Sequence, residues 1–293
     1  MLILSDNNAS LEEVIRTAAN ALSGGEVFFG HGAATAIDEA SWLILSAIGL
    51  SPALAPDYSR RLSADEIKAC NVILSKRIEQ RIPTAYLTGS AWFAGHRFNS
   101  DHRALVPRSP LAEFIVSDFY GVLENNATPR ILDLCTGGAC IAIACAYELS
   151  GALVVGSDLS TDALALAKEN VAMHGMESQI TLTEGNLFES VTGKYDLIIS
   201  NPPYVDASDL ASMPAEFHHE PALGLASGED GLDLVRQMLA QAHDYLTDNG
   251  VLVVEVGNSA PALEAAFPQL PFHWLEFERG GDGVFLLYRA ELD

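Results

Sequence analysis

From Arg130 onward the chain alternates short apolar runs with helix-patterned stretches, and this alternation constrains the fold more than any other feature. "RILDL" leads into "CIAIACAYELS", "LVVGSD" into "DALALAKENVAMHG", and then come "ITLTEGN" and "YDLIIS". "GLDLVRQMLAQAHDYL" precedes "GVLVVEV", and "HWLEFERGGDGVFLLYR" reads as two strands around a Gly-rich turn. Near-continuous apolar strands separated by helices predict a mostly parallel sheet covered on both faces, with an antiparallel edge from the closing hairpin. The chain has 293 residues, 49% of them hydrophobic, enough for one large domain with a small companion.

The small companion lies first. Leu11, Val14, Ile15, Ala18 and Leu22 keep helical spacing, "IDEASWLILSAIGL" is a second apolar segment, and Ser63 with Glu66 makes a capping-box pattern ahead of Ile67, Cys70, Leu74 and Ile78. Pro83 ends this region. "TAYLTGSAWFAGHRFNSDHRALVPRSP" alternates aromatic and polar residues around Gly89 and Gly95 and reads as a β-hairpin. The expected organisation is a helical domain over 1–82, a hairpin linker over 83–105 and an α/β domain over 106–293.

The four cysteines, at 70, 135, 140 and 145, match no zinc spacing and read as buried small hydrophobes in a reducing compartment. No metal site is expected. Sixteen basic against 39 acidic side chains leave a net charge of −23, which disfavours strong direct binding to nucleic acid and favours basic partners. No apolar run is long enough to span a membrane, and the N-terminus lacks a signal-like pattern, so a cytoplasmic location is expected.

In open α/β sheets, ligands bind beyond the carboxyl ends of the strands. The first such end carries "DLCTGGACIAIA", where Gly137 and Gly138 permit a tight turn into a helix. About 20 residues on, the next strand ends in Asp158, placed to accept both hydroxyls of a ribose. That combination points to an adenosine-containing cofactor. The turn lacks the G-x-G-x-x-G spacing that a pyrophosphate demands, which favours S-adenosylmethionine over NAD.

Together, "ILDLCTGGACIAIA", "SDLSTDALALAKEN", "NPPYVD" and "EPALGLASGEDGL" resemble the HemK-like protein-glutamine methyltransferases. "AYLTGSAWFAGHRF", "LVPRSP", "EVGNS" and "GGDGVF" are similar to its PrmB type, which acts on a glutamine of the large-subunit ribosomal protein L-three. The resemblance runs from about Gly30 to the C-terminus. It implies a Rossmann-like, seven-strand S-adenosylmethionine-dependent methyltransferase sheet with a small helical N-terminal domain that docks the substrate. It further implies that Cys135, Thr136, Gly137, Gly138 and Ala139 wrap the cofactor, that Asp158 takes the ribose, that Asn186 and Leu187 lie beside the adenine, and that Asn201 borders cofactor and substrate. The partner implied is ribosomal protein L-three, free or within an assembling ribosomal particle. The chain departs from the family at Cys135 and Ala139, where glycine is frequent, and at Asn186, where aspartate is common. A methyl at Ala139 would crowd the cofactor if the turn needs close approach or a positive φ. The Asn186 carbonyl still accepts from an adenine amino group.

"SNPPYVD" ends a strand abruptly, because proline cannot donate to a sheet ladder. A glutamine amide nitrogen is a poor nucleophile whose lone pair is delocalised. Two acceptors on its N–H bonds would orient it and enrich it in electrons, and the Asn201 side-chain oxygen with the Pro202 carbonyl supplies such a pair. Pro203 restrains Pro202, and the Tyr204 ring can cover the amide and favour the cationic methyl. The same corner would serve an adenine amino methyltransferase, which the acidic charge disfavours. The sister branch acting on peptide release factors shares the chemistry, and a silent binding module is a third alternative. Among other residues, Arg108 reads as a partner for the cofactor carboxylate or as a solvated side chain, and Glu255 as cleft lining or a buried strand end. His218 and His219, with Glu220, could suggest a metal, but adjacent histidines share no face and read as surface or loop residues, and Trp92 and Phe93 read as hairpin core or a cofactor cover.

Overall fold

The computed structural model describes residues 3–6, 8–52, 54–123 and 127–292. The chain divides into two compact units. One comprises Met1–Ala91, Ser100–His102 and Pro214–His219; the other comprises Trp92–Asn99, Arg103–Met213 and Glu220–Asp293.

The first unit is helical. Ser10 and Glu13 form a complete capping box that starts α1 (Leu11–Gly24), Thr35 caps α2 (Ala36–Ala47), and Ser63 with Glu66 repeats the capping box at α3 (Ala64–Glu79). The apolar stripes read from the sequence are the ones buried: Leu11, Val14, Ile15, Ala18 and Leu22 pack with Leu43, Ile67, Cys70 and Leu74. Arg77, also on α3, is 1% exposed. Its guanidinium pairs with Glu39 and, at 2.9 Å, with Glu216, and donates to the Phe28 carbonyl at 2.7 Å. Directly after Pro83 the expected hairpin gives way to a five-residue helix, α4 (Thr84–Thr88). Pro83 presets the entry, Gly89 ends the helix in the left-handed region at φ 66°, and the Thr84 hydroxyl donates to Glu39 at 2.6 Å. The hairpin itself is β1 (Ser90–Phe93) with β2 (His96–Asn99).

In the second unit α5 (Leu111–Val116) precedes an alternating run: β3 (Arg130–Leu134), α6 (Cys140–Glu148), β4 (Leu153–Asp158), α7 (Thr161–His174), β5 (Ile180–Glu184) and β6 (Tyr195–Ser200). Then come α8 (Ala207–Ser212), α9 (Asp233–Tyr245), β7 (Leu246–Glu255), α10 (Ala260–Ala266), β8 (His273–Trp274) and β9 (Val284–Tyr288). Seven strands form one sheet in the order β5-β4-β3-β6-β7-β9-β8. All pairs are parallel except β7 with β9 and β8 with β9. The Rossmann-like α/β sheet and its antiparallel edge are thus as read, though β8 has only two residues. Alternate side chains enter opposite cores. Ile131, Leu197, Ile199, Val251 and Val253 join one; Leu132, Leu134, Ile198, Leu252 and Val254 join the other. Burial on both faces explains the unbroken apolar runs.

From β3 the chain winds outward through β4 and β5, then returns to lay β6 on the other side of β3. The crevice beyond the carboxyl ends of β3 and β6 is therefore the topological switch point. Leu134 pairs with Ser200 at the last register position, and the Ser200 hydroxyl donates to the Leu134 carbonyl at 2.6 Å. The glycine turn and the proline corner, 66 residues apart in sequence, thus leave adjacent strand ends together.

Candidate active site

On the β3 side, the turn from Cys135 to Ala139 carries positive φ at Cys135 (58°), Gly137 (54°) and Ala139 (64°). These values explain why glycine suits the turn: a side chain in the left-handed region costs roughly 1–2 kcal/mol. Ala139 is fully buried within the first core, where its methyl packs. A Cβ on Gly137 would meet only Ala104, at 3.9 Å, so that glycine leaves open space on its side of the turn.

Two carboxylates tie the turn down. Asp158, at the end of β4, accepts from the Gly137 N–H and the Ser160 N–H, both at 2.8 Å. Burial raises its pKa, and the backbone donors pull it back. Asp133, on β3, is fully buried. Its Oδ2 accepts from the Thr136 hydroxyl at 2.5 Å and from the Ala142 N–H at 3.1 Å, while Oδ1 is buried without a partner among the described residues. Burial pushes the Asp133 carboxyl up to about 7, against the opposing pull of those two donors. The turn therefore presents an unsatisfied acid and a second carboxylate with spare lone pairs. This set suits ammonium and hydroxyl donors and repels a pyrophosphate.

Asn186 is half-buried, and its N–H reaches Glu189 at 3.4 Å. Leu187 has φ 51° and a buried side chain in the second core. Its carbonyl receives the Ser157 hydroxyl at 3.3 Å. What this stretch offers a planar ring is backbone and the Asn186 amide rather than the leucine side chain.

On the β6 side, Pro202 and Pro203 are buried and Asn201 is half-buried. Among the described residues, none hydrogen-bonds to the Asn201 amide. Tyr204 donates its hydroxyl to Glu255 at 2.8 Å, and its own carbonyl accepts from the Ser259 hydroxyl at 3.1 Å. Burial, then the neighbouring Glu255 charge, raises the Tyr204 pKa, so the phenol stays protonated. Glu255 also accepts from the Ser109 hydroxyl, and burial raises its pKa while its two donors lower it.

The lesser candidates fall into place. Arg108 does not stand alone in solvent: it pairs with Glu220 through two bonds of 2.6 and 2.7 Å, and Glu220 also receives the Val106 N–H at 3.0 Å. Glu220, which the sequence sets beside His218 and His219 as a loop residue, is buried, because its partners come from over a hundred positions away; Ser109 meets Glu255 across 146 positions and Ser259 meets Tyr204 across 55. Glu255 is a buried strand end. His219 bonds the Gln80 carbonyl at 2.7 Å, and no group of three metal-ligating side chains occurs among the described residues. Phe93 is core, whereas Trp92 beside it is 40% exposed. The four cysteines are free, and no described helix is long and apolar enough to cross a membrane.

The family model described as methyltransferase small domain matches residues 118–222. A ribosomal protein uL3 glutamine methyltransferase of Bordetella pertussis is 42% identical over 97% of this chain and 96% of its own length. One from Francisella tularensis subsp. tularensis is 42% identical over 98% and 92%. Among solved structures, the hMettl16 catalytic domain in complex with the MAT2A 3'UTR hairpin 6 superposes with a TM-score of 0.52 at 16% identity, covering 80% of this chain and 86% of that one. That likeness concerns the fold alone. Identity of this extent along nearly the whole length, over a sheet that joins a glycine turn to an Asn-Pro-Pro-Tyr corner, places the chain in the ribosomal protein uL3 glutamine methyltransferase family.

Proposed function

We propose that the chain methylates the side-chain amide nitrogen of a glutamine in ribosomal protein uL3 (L-three), with S-adenosylmethionine as donor. The observation that carries this reading is the pairing of Leu134 with Ser200, which sets the cofactor turn and the corner side by side. Residues Cys135 to Ala139 cradle the methionine part, the Asp133 acid and the Asp158 carboxylate meet its ammonium and ribose, and Asn186 with the Leu187 backbone borders the adenine. When bound, S-adenosylmethionine supplies an electrophilic methyl on a sulfonium.

The corner's task is to present the nucleophile. Asn201 Oδ1 and the Pro202 carbonyl accept the two N–H bonds of the glutamine amide, holding it at one angle and enriching the nitrogen in electrons. The free state of the Asn201 amide suits this role. The prolines fix φ, so the Pro202 carbonyl does not swing away. Tyr204 covers the amide and excludes water. Methylation makes the nitrogen acidic enough to release a proton to water, so no strong base is needed.

The helical domain, 1–82, serves to dock the substrate, with the hairpin of 83–105 linking it to the methyltransferase domain, 106–293. A charge of −23 complements a basic ribosomal protein, free or in an assembling particle, and a ribosomal substrate implies a cytoplasmic reaction. The test incubates the enzyme and labelled cofactor with ribosomal particles from a methylation-deficient strain, with release factors as a parallel substrate. Label on a uL3 glutamine is expected; label on RNA, on a release factor alone, or on no protein overturns the proposal. Asn201→Ala is expected to lower kcat by about 10²-fold or more while sparing cofactor affinity.

A further inference from the structure

Three glycine-bearing motifs have no part in the chemistry so far: "SGEDGL", "EVGNS" and "GGDGVF". Two of them close directly on Tyr204. A Cβ on Gly231 would stand 2.2 Å from the Tyr204 carbonyl oxygen, and one on Gly257 would stand 2.6 Å from Tyr204 Cε2. Real Cβ atoms do not approach this closely, so at these two points the fold has brought backbone against the tyrosine where only glycine fits. The third motif stands behind the second: a Cβ on Gly283 would meet the Gly257 backbone at 2.2 Å. The polar ends of Tyr204 are held as well. Its hydroxyl donates to Glu255 at 2.8 Å, Glu255 is steadied by the Ser109 hydroxyl, and the Ser259 hydroxyl donates to the Tyr204 carbonyl at 3.1 Å.

We infer that Glu255 and Gly257 are positioning residues for methyl transfer: they clamp Tyr204 by its hydroxyl and its ring edge and so fix the aromatic wall against which the substrate amide is presented. The inference rests on the proposed glutamine methylation, and it adds that the wall is set from behind. The carboxylate does not touch the reacting atoms. It accepts the phenol's hydrogen bond while that phenol stays protonated, so the ring is held at its far end. Gly257 has φ 47° and sits against the ring's edge, so a side chain there must push the ring. Displacement of a positioning group by about 1 Å is known to cost up to roughly 10²-fold in rate.

The test compares wild type, Tyr204→Ala, Tyr204→Phe, Glu255→Leu, Glu255→Gln, Gly257→Ala and the double variant Tyr204→Phe/Glu255→Leu. Each is assayed for kcat and KM on uL3, for cofactor Kd and for Tm. Glu255→Leu and Gly257→Ala are expected to lose between about tenfold and 10²-fold in kcat with cofactor Kd within about threefold of wild type. Glu255→Gln, whose amide oxygen still accepts the phenol, should recover most of that loss. The double variant should be no worse than the poorer of Tyr204→Phe and Glu255→Leu alone, because both remove one contact. Wild-type kcat in Glu255→Leu overturns the clamp, and so does a loss that Glu255→Gln fails to rescue. A loss matched by weakened cofactor binding and lowered Tm also overturns it. If wild type does not label uL3, or Tyr204→Ala keeps full kcat, it is the functional reading that fails, a result separable from all of these.

Discussion

Asp133→Asn offers a test in which the sign, the size and the pH window all follow from one buried carboxyl. Asp133 is fully buried, its Oδ1 has no partner among the described residues, and burial raises its pKa from 3.8 to about 7. In the unfolded chain the group returns to its ordinary value. Between the two values the folded protein holds a proton that the unfolded chain has lost, so stability falls as pH rises across that range. The contribution is fully present below the unfolded value and is gone above the folded one. Over the whole window the difference approaches roughly 4 kcal/mol, and between pH 5.5 and 8 about 2 kcal/mol remains to be lost.

Asparagine keeps an oxygen for the Thr136 hydroxyl and the Ala142 N–H but cannot ionise, so the variant carries at most a constant offset. The assay is urea unfolding of wild type and Asp133→Asn at matched pH values from 5.5 to 8.5, without cofactor. The stability of wild type relative to the variant should decline by about 2 kcal/mol over this range and then level off. With saturating S-adenosylmethionine the decline should shrink, because an ammonium placed against the acid favours its charged form. A difference flat to within about 0.5 kcal/mol would refute the reasoning, since Asp133 would then be ionised throughout or reached by water.

Arg77→Met strands two nearly buried carboxylates, Glu39 and Glu216, and should destabilise the protein by about 3–5 kcal/mol in chemical unfolding; a loss under about 1 kcal/mol contradicts this. Replacing Arg77, Glu39 and Glu216 together with apolar residues should restore most of the loss. Asp158→Ala removes the acceptor of the Gly137 and Ser160 N–H groups along with the proposed ribose contact, and calorimetry should show cofactor Kd weakened about 10²-fold. Gly137→Ala has room for its methyl, so its effect isolates the φ of 54°: a loss of about 1–2 kcal/mol of stability by urea unfolding.

The α/β order was legible because both faces of each central strand are buried, which leaves no polar alternation to confuse the reading. The strand-end positions of the glycine turn, Asp158 and the corner were legible because each directly follows an apolar run in the sequence; that β3 and β6 lie side by side was not. Failures occurred where a partner came from far along the chain. Arg77 carries no signal in the sequence, because its partners Glu39 and Glu216 lie 38 and 139 positions away. Arg108 and Glu220 hide one another across 112 positions. The short helix α4 was missed for a local reason: five residues are too few to display a helical period, and Pro83 with Gly89 reads equally well as hairpin punctuation.

The proline corner unites these two kinds of evidence. Two adjacent prolines fix φ but remove two N–H donors, so the backbone at Pro202 and Pro203 cannot be tied into the sheet by its own donors. Rigidity in the dihedral does not fix position. Position must come from the residues immediately downstream of the corner, and they are held on several sides. Val205 donates its N–H to the Leu225 carbonyl and receives the Ser227 N–H, forming an isolated parallel bridge. One residue earlier, Tyr204 is held by Glu255, Ser259 and the close backbones of Gly231 and Gly257. The Pro202 carbonyl thus lies between a strand end and a tyrosine held by hydrogen bonds and close backbone. Gly231 and Gly257, whose motifs enter the sequence reading only through the family resemblance, lie in the fold against Tyr204: their missing side chains let the backbone close on the corner that proline alone cannot anchor.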